Sequence, residues 1–134
     1  MTKIPLVIFG AGDFADIAYE YFTRDSSFEV VAFTVDHEYL TEKSKFNLPI
    51  LPFEEISNHL EPRNHHFFAA VTYGRLNDLR EEVGIKAKNL GFILASYISG
   101  RSFVWPNVSI GEHCFIFEDN TLQPFVSLGS NVVL

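Results

Sequence analysis

Gly10-Ala11-Gly12-Asp13-Phe14-Ala15 has the form G-x-G-x-x-A, and that spacing suits phosphate chemistry. The first glycine permits a tight turn, the second lets backbone approach a ligand with no Cβ in the way, and the small Ala15 lets the next helix pack closely. Free amides at the start of that helix would face a phosphate. Asp36 follows Gly12 by 24 residues, where a carboxylate can accept hydrogen bonds from ribose hydroxyls or a base. Asp13 opposes a pyrophosphate placed close to it. A nucleotide held through base and ribose, or a nucleotide-sugar, therefore suits the turn better than NAD. The bland alternative is that any tight β-α turn in an open sheet uses glycine. Thr72, Tyr73, Asn77 and Arg80 follow a later apolar run and are expected at the same sheet edge. Arg80 could reach a phosphate there, although a helix arginine is more often a solvated face. His65-His66 is a tempting metal pair, but adjacent strand residues point to opposite faces. No Cys or His cluster supports them, and no metal site is expected.

These residues need elements to position them. Residues 4–9 read as a buried strand, with Pro5 at its start where a missing amide is tolerated. Residues 14–23 read as a helix, because Phe14, Ile17, Ala18, Tyr21 and Phe22 form one apolar face. Asp13 is its expected N-cap. Residues 28–35 read as a second strand, completing a β-α-β unit. Residues 36–52 read as irregular, since LPILP carries two prolines. A short helix is expected over 53–59, strands over 66–72 and 92–95, and a helix over 75–90 with Leu76, Leu79, Val83 and Lys86/Ala87 along one side. Gly84 weakens that last helix. The alternation implies an open parallel α/β sheet.

From about residue 98 the period changes. Val104, Ile110, Ile116, Leu122, Leu128 and Leu134 recur at every sixth position. Ser102, Val108, Cys114, Asn120, Val126 and Val132 sit two places before them, and Gly111 and Gly129 follow two of them. A period of six fits neither helix nor simple strand. It fits a hexapeptide parallel β-helix, whose coils bury their faces by stacking on one another.

The 134 residues, 47% hydrophobic, 20% charged and 15% aromatic, describe a globular protein with bulk for a real core. A net charge of −7 and the absence of a basic stripe argue against nucleic acid as a partner. The single cysteine, Cys114, forbids an internal disulfide and reads as a buried structural thiol. The N-terminal apolar run has strand length and is not a signal segment, and no stretch reaches the ~20 apolar residues of a membrane span. A cytoplasmic protein with no membrane partner is expected.

The whole chain resembles the hexapeptide-repeat sugar acyltransferases of the sialic acid O-acetyltransferase and bacillosamine-pathway N-acetyltransferase type. The resemblance rests on IFGAGDFADIA (8–18), VVAFTVDHEYL (30–40), LPILPFEEI (48–56), FAAVTYGRLNDLRE (68–81), GFILASYIS (91–99) and IGEHCFIFEDNTLQPFVSLGSNVVL (110–134), in that order. It implies a Rossmann-like parallel sheet over 1–97 that holds a nucleotide-sugar, then the first coils of a left-handed parallel β-helix over 98–134. Gly10, Ala11, Gly12, Asp13 and Asp36 match the family's ligand-contacting positions, and Thr72, Tyr73 and Asn77 match a loop near the same pocket. In this family acetyl-CoA is the cosubstrate and binds between coils of neighbouring subunits in a trimer. Its general base is a histidine expected a few residues beyond Leu134. His113 falls too early to match it, so no catalytic residue is assigned here. The chain alone is expected to bind nucleotide-sugar without transferring acetyl. Two rival readings are a stand-alone NAD(P)- or nucleotide-binding module and a self-associating structural fragment.

Overall fold

The computed structural model of the chain describes residues 2–71 and 77–134. Strand β1 (Ile4–Phe9) lies at the centre of the main sheet. It pairs in parallel with β2 (Phe28–Val35) on one side and β5 (His66–Ala69) on the other. Beyond β2 lies β4 (Leu48–Pro52), edged by β3 (Ser44–Lys45); beyond β5 lies β6 (Ile93–Leu94). The order is β3-β4-β2-β1-β5-β6, parallel except for the β3–β4 hairpin.

Both faces of β1 are covered, which is why it reads as an unbroken apolar run. Leu6 and Ile8 share a core with Phe14, Ala15, Ala18 and Phe22 of α1 (Asp13–Arg24). Val7 and Phe9 point the other way and pack with Val83 and Ala87 of α3 (Asn77–Leu90) and with Ile56 of α2 (Ile56–His59).

Several expectations need correction. The segment 36–52 is not irregular throughout. Phe46 and Asn47, at φ +51° and +63°, turn the chain into the β3–β4 hairpin. The prolines fit because strand amides alternate in direction. Ile50 N–H donates to Lys43 O, away from β2, so the missing amide of Pro52 also points away; Pro49 precedes the stretch paired to β2. Strand β5 stops at Ala69 rather than at 72. Gly12, not Asp13, is the N-cap of α1; Asp13 and Asp16 occupy its first turn, where carboxylates complement the helix dipole. On α3, Leu79, Val83 and Ala87 face inward, Lys86 is exposed, and Leu76 lies outside the described residues.

The coil begins at β7 (Tyr97–Ile98) and runs through β8 (Phe103–Val104), β9 (Ser109–Ile110), β10 (Phe115–Ile116), β11 (Thr121–Leu122) and β12 (Ser127–Leu128). The first three pair in parallel with the last three, each 18 residues on: Tyr97 with Phe115, Phe103 with Thr121, Ser109 with Ser127. Three faces of six residues make one turn. The corners fall on His113, Asp119, Phe125 and Asn131, which are all left-handed at φ +61° to +69° and recur every six residues. Gly111 meets the coil above it so closely that a Cβ there would lie 2.6 Å from the Gly129 backbone.

The coil docks on the sheet through aromatic side chains. Phe115 alternates with inward Ile116, so it points out of the coil, yet it is fully buried. Its ring lies 4.7–5.9 Å from those of Phe14, Tyr21, Phe22, Phe68, Tyr97 and Phe117. Edge-to-face and offset pairs of this kind add to the burial itself.

Candidate functional site

The chain order reverses about β1, because β2 follows on one side and β5 lies on the other. Ligands of open α/β sheets sit at such a reversal, outside the carboxyl ends of the strands. A cleft of about 500 Å³ occupies that place, walled by Phe9 to Gly12 at the end of β1, Val35 and Asp36 at the end of β2, and Val71 after β5, with Glu38, Tyr39 and Leu79 closing it.

The two glycines of the turn have different reasons. Gly10 has φ +124°, and a Cβ would stand 2.5 Å from Ala70 O, so backbone packing alone demands glycine. Gly12 is at φ −96°, which any residue adopts, and nothing lies within 4 Å of where its Cβ would be. The fold does not require glycine there; a ligand approaching the bare backbone would. Ala11 is exposed at the cleft wall, whereas Asp13 is exposed outside it.

Asp36 follows β2, half-buried, and opens a short 3-10 turn over His37–Tyr39. Its carboxylate makes no capping bond. The turn is held from outside, by His37 N–H donating to Glu54 Oε1 at 3.0 Å and Oε2 at 3.2 Å. Thus Gly10, Ala11, Gly12 and Asp36 come together at one cleft. Thr72 and Tyr73 lie outside the described residues, and Asn77 is the first residue of α3. Tyr39, Glu38, Val71 and Leu79 also line the cleft; sequence reading missed them because Glu38 and Tyr39 fall in a stretch read as irregular, and Val71 within the expected strand.

Arg80 is neither a phosphate ligand nor a solvated face. It is buried, and its guanidinium donates to Ala69 O from Nε at 2.9 Å, to Asn131 O at 2.8 Å and to His113 O at 2.9 Å. Burial lowers its pKa to about 10. His113 is also fully buried. Ala69 N–H donates to its Nε2 at 2.9 Å, so the proton sits on Nδ1, which donates to Asn131 Oδ1 at 2.7 Å. Burial, with Arg80 nearby, pushes its pKa down to about 4. Gly84 leaves room for this imidazole: a Cβ there would be 3.4 Å from His113 Nδ1 and 3.3 Å from Leu94 Cδ1. Arg80, His113 and Asn131 are a joint between coil and sheet. Cys114 is fully buried beside them, as expected of a structural thiol. Among the described residues no group of three or more His, Cys, Asp or Glu side chains is placed to hold a metal ion, and no helix is long and apolar enough to cross a membrane.

No protein-family model and no curated protein matches the sequence. Solved structures do. The acetyltransferase domain of PglB from Neisseria gonorrhoeae FA1090, in complex with acetyl coenzyme A, is 24% identical with a TM-score of 0.80, over 98% of this chain and 61% of that one. A histidine-to-asparagine mutant of perosamine N-acetyltransferase from Caulobacter crescentus, in complex with CoA and GDP-perosamine, is 22% identical with a TM-score of 0.82, over 96% of this chain and 59% of that one. The chain therefore has the fold of these proteins, a Rossmann-like parallel sheet followed by the first coils of a left-handed parallel β-helix, and it spans about three fifths of their length.

Proposed function

We propose that this chain is the nucleotide-sugar-binding part of an acetyltransferase that moves acetyl from acetyl-CoA to an amino or hydroxyl group of a nucleotide-linked sugar. The observation that carries this reading is the cleft at the sheet reversal, where Gly12 leaves bare backbone and the Asp36 carboxylate makes no capping bond. Asp36 accepts hydrogen bonds from ribose hydroxyls or a base edge, and the turn's amides face the phosphates. The reported complexes of structures with this fold, one with acetyl coenzyme A and one with CoA and GDP-perosamine, support the same chemistry.

The reading assigns no acid–base residue to this chain. A general base needs a free nitrogen within reach of substrate. His113, the histidine of the coil, has both nitrogens engaged and its ring buried. Transfer belongs to the whole enzyme, with a histidine base and acetyl-CoA in later coils. Titrating the chain calorimetrically with UDP-, dTDP-, GDP- and CMP-sugars tests the reading. One class should bind and compete with its free nucleotide; no binding by any of them refutes it.

A second reading holds alongside. Phe103, Trp105 and Phe125 are 52%, 45% and 86% exposed on the coil. Bulky aromatic residues left in water favour association with a second copy, and a trimer is the assembly proposed for the whole enzyme.

A further inference from the structure

A smaller chamber of about 160 Å³ adjoins the cleft beneath the β3–β4 hairpin. The two share Ala11, Val35 and Tyr39 as walls, so they lie side by side at the Gly-rich turn. Their character differs. The cleft reaches apolar Phe9, Val71 and Leu79, whereas the chamber adds Thr41, Glu42 and Lys45.

The rim is strongly acidic. Asp36 and Glu38 line the cleft, Glu42 lines the chamber, and Asp13 and Asp16 occupy the first turn of α1. Lys45 is the one cation among the described residues lining either chamber. Carboxylates alone repel a phosphate, and in a partly desolvated cleft that repulsion is much stronger than in water. A phosphorylated ligand here needs a compensating charge, and Lys45 is placed to supply it. Its side chain is only 20% exposed, with Nζ 2.6 Å from Asp16 Oδ1 and 3.4 Å from Ala11 O. The ammonium thus already stands at the Gly-rich turn, with a carboxylate in the place an incoming anion would take. Asp16, 45% exposed, can turn to water when displaced.

We infer that the small chamber is the phosphate subsite of the cleft and that Lys45 is its charge partner, released to the ligand by exchange of Asp16. This rests on the nucleotide-sugar reading and adds to it: the ligand is a nucleoside diphosphate whose phosphates lie toward the hairpin, not over the cleft's apolar wall.

The test compares uridine with UDP and guanosine with GDP on the intact chain, by calorimetry, in the wild type, K45Q and D16N. The diphosphate should bind at least about tenfold more tightly than its nucleoside, as a charge-assisted contact implies. K45Q should erase that advantage while leaving nucleoside affinity in place. D16N, which frees the ammonium, should widen it. A structural role for the ion pair predicts the reverse for D16N, since both variants would then weaken every ligand alike; that outcome overturns the inference. So does a K45Q protein that keeps the full diphosphate advantage. If neither nucleoside nor diphosphate binds the wild type, the reading of the cleft itself falls. Nucleoside binding with no gain from phosphate overturns only the subsite.

Discussion

Acidification should weaken this fold through His113 in a window set apart from its carboxylates. In the native state the imidazole must stay neutral, because Nε2 accepts the Ala69 N–H and the Arg80 cation, bonded to the His113 carbonyl, lies close by. Protonation would set two N–H groups against each other. The native pKa of about 4 lies below the ordinary 6.5 of the unfolded chain. The unfolded state therefore binds more protons between those values. The stabilisation is complete above about pH 6.5 and is lost as pH falls toward 4, by about 3 kcal/mol at 1.36 kcal/mol per pKa unit. Arg80 stays charged across this range. Asp25, lowered from 3.8 by the Gly100 N–H and the Tyr97 hydroxyl, acts only below the window. His66 is lowered by burial too, so the measurement must be a difference. The comparison is urea unfolding of wild type and H113N from pH 7.5 to 4. Asparagine tolerates the left-handed corner at φ +61°. At pH 7.5 the variant should be less stable by about 2–4 kcal/mol, having lost packing and left the Ala69 amide unpaired. That gap should close to near zero by pH 4, since His66 contributes equally to both proteins. A gap that stays constant across the range refutes the reasoning, and would mean that His113 takes up its proton alike in the folded and the unfolded chain.

Three further variants separate fold from ligand and monomer from assembly. G10A places a Cβ 2.5 Å from Ala70 O at a positive φ and should cost several kcal/mol, about 3 or more, in thermal or urea unfolding. G12V should change stability by less than about 1 kcal/mol yet lower nucleotide-sugar affinity at least about tenfold in the same titration, because its side chain fills the ligand's approach. F125D removes a ring that is 86% exposed at a left-handed corner. It should leave monomer stability within about 0.5 kcal/mol and shift sedimentation toward monomer; unchanged self-association would clear this face of the role.

What was legible in the sequence follows from how local the cause was. The strands 4–9 and 28–35 and the helix between them declare themselves through short-range periodicity, and their bounds agree with β1, α1 and β2 to within a residue. The six-residue period fixed the coil because each inward aliphatic answers to its own turn. The edge hairpin was illegible because its determinant is relational. Two prolines forbid a strand in general, but not one whose unpaired amides point away from its partner, and that direction is set only once β2 is beside it. Lys45 was overlooked for the same reason, since nothing near it in sequence announces a cleft. Gly12 was legible as a motif, yet its meaning emerged by contrast with Gly10, whose glycine the backbone already explains.

Arg80 shows why reading residues one at a time fails at a junction. Alone on α3 it had two readings, phosphate ligand or solvated face, and both assumed that the helix's outer side met water. Coil residues 33 and 51 positions later supply two of the three carbonyls that hold it, His113 O and Asn131 O. Gly84, a weakness in a lone helix, becomes the gap into which His113 fits. Phe115 faces away from its own coil and completes the aromatic core of the sheet. The chain thus changes period near residue 97, but its core does not divide there. The carbonyl and amide of Ala69, fixed by Arg80 and His113, belong to the same short segment as Ala70, on which Gly10 closes, and Val71, which walls the cleft. The coil therefore does more than follow the sheet: it holds one wall of the cleft in place.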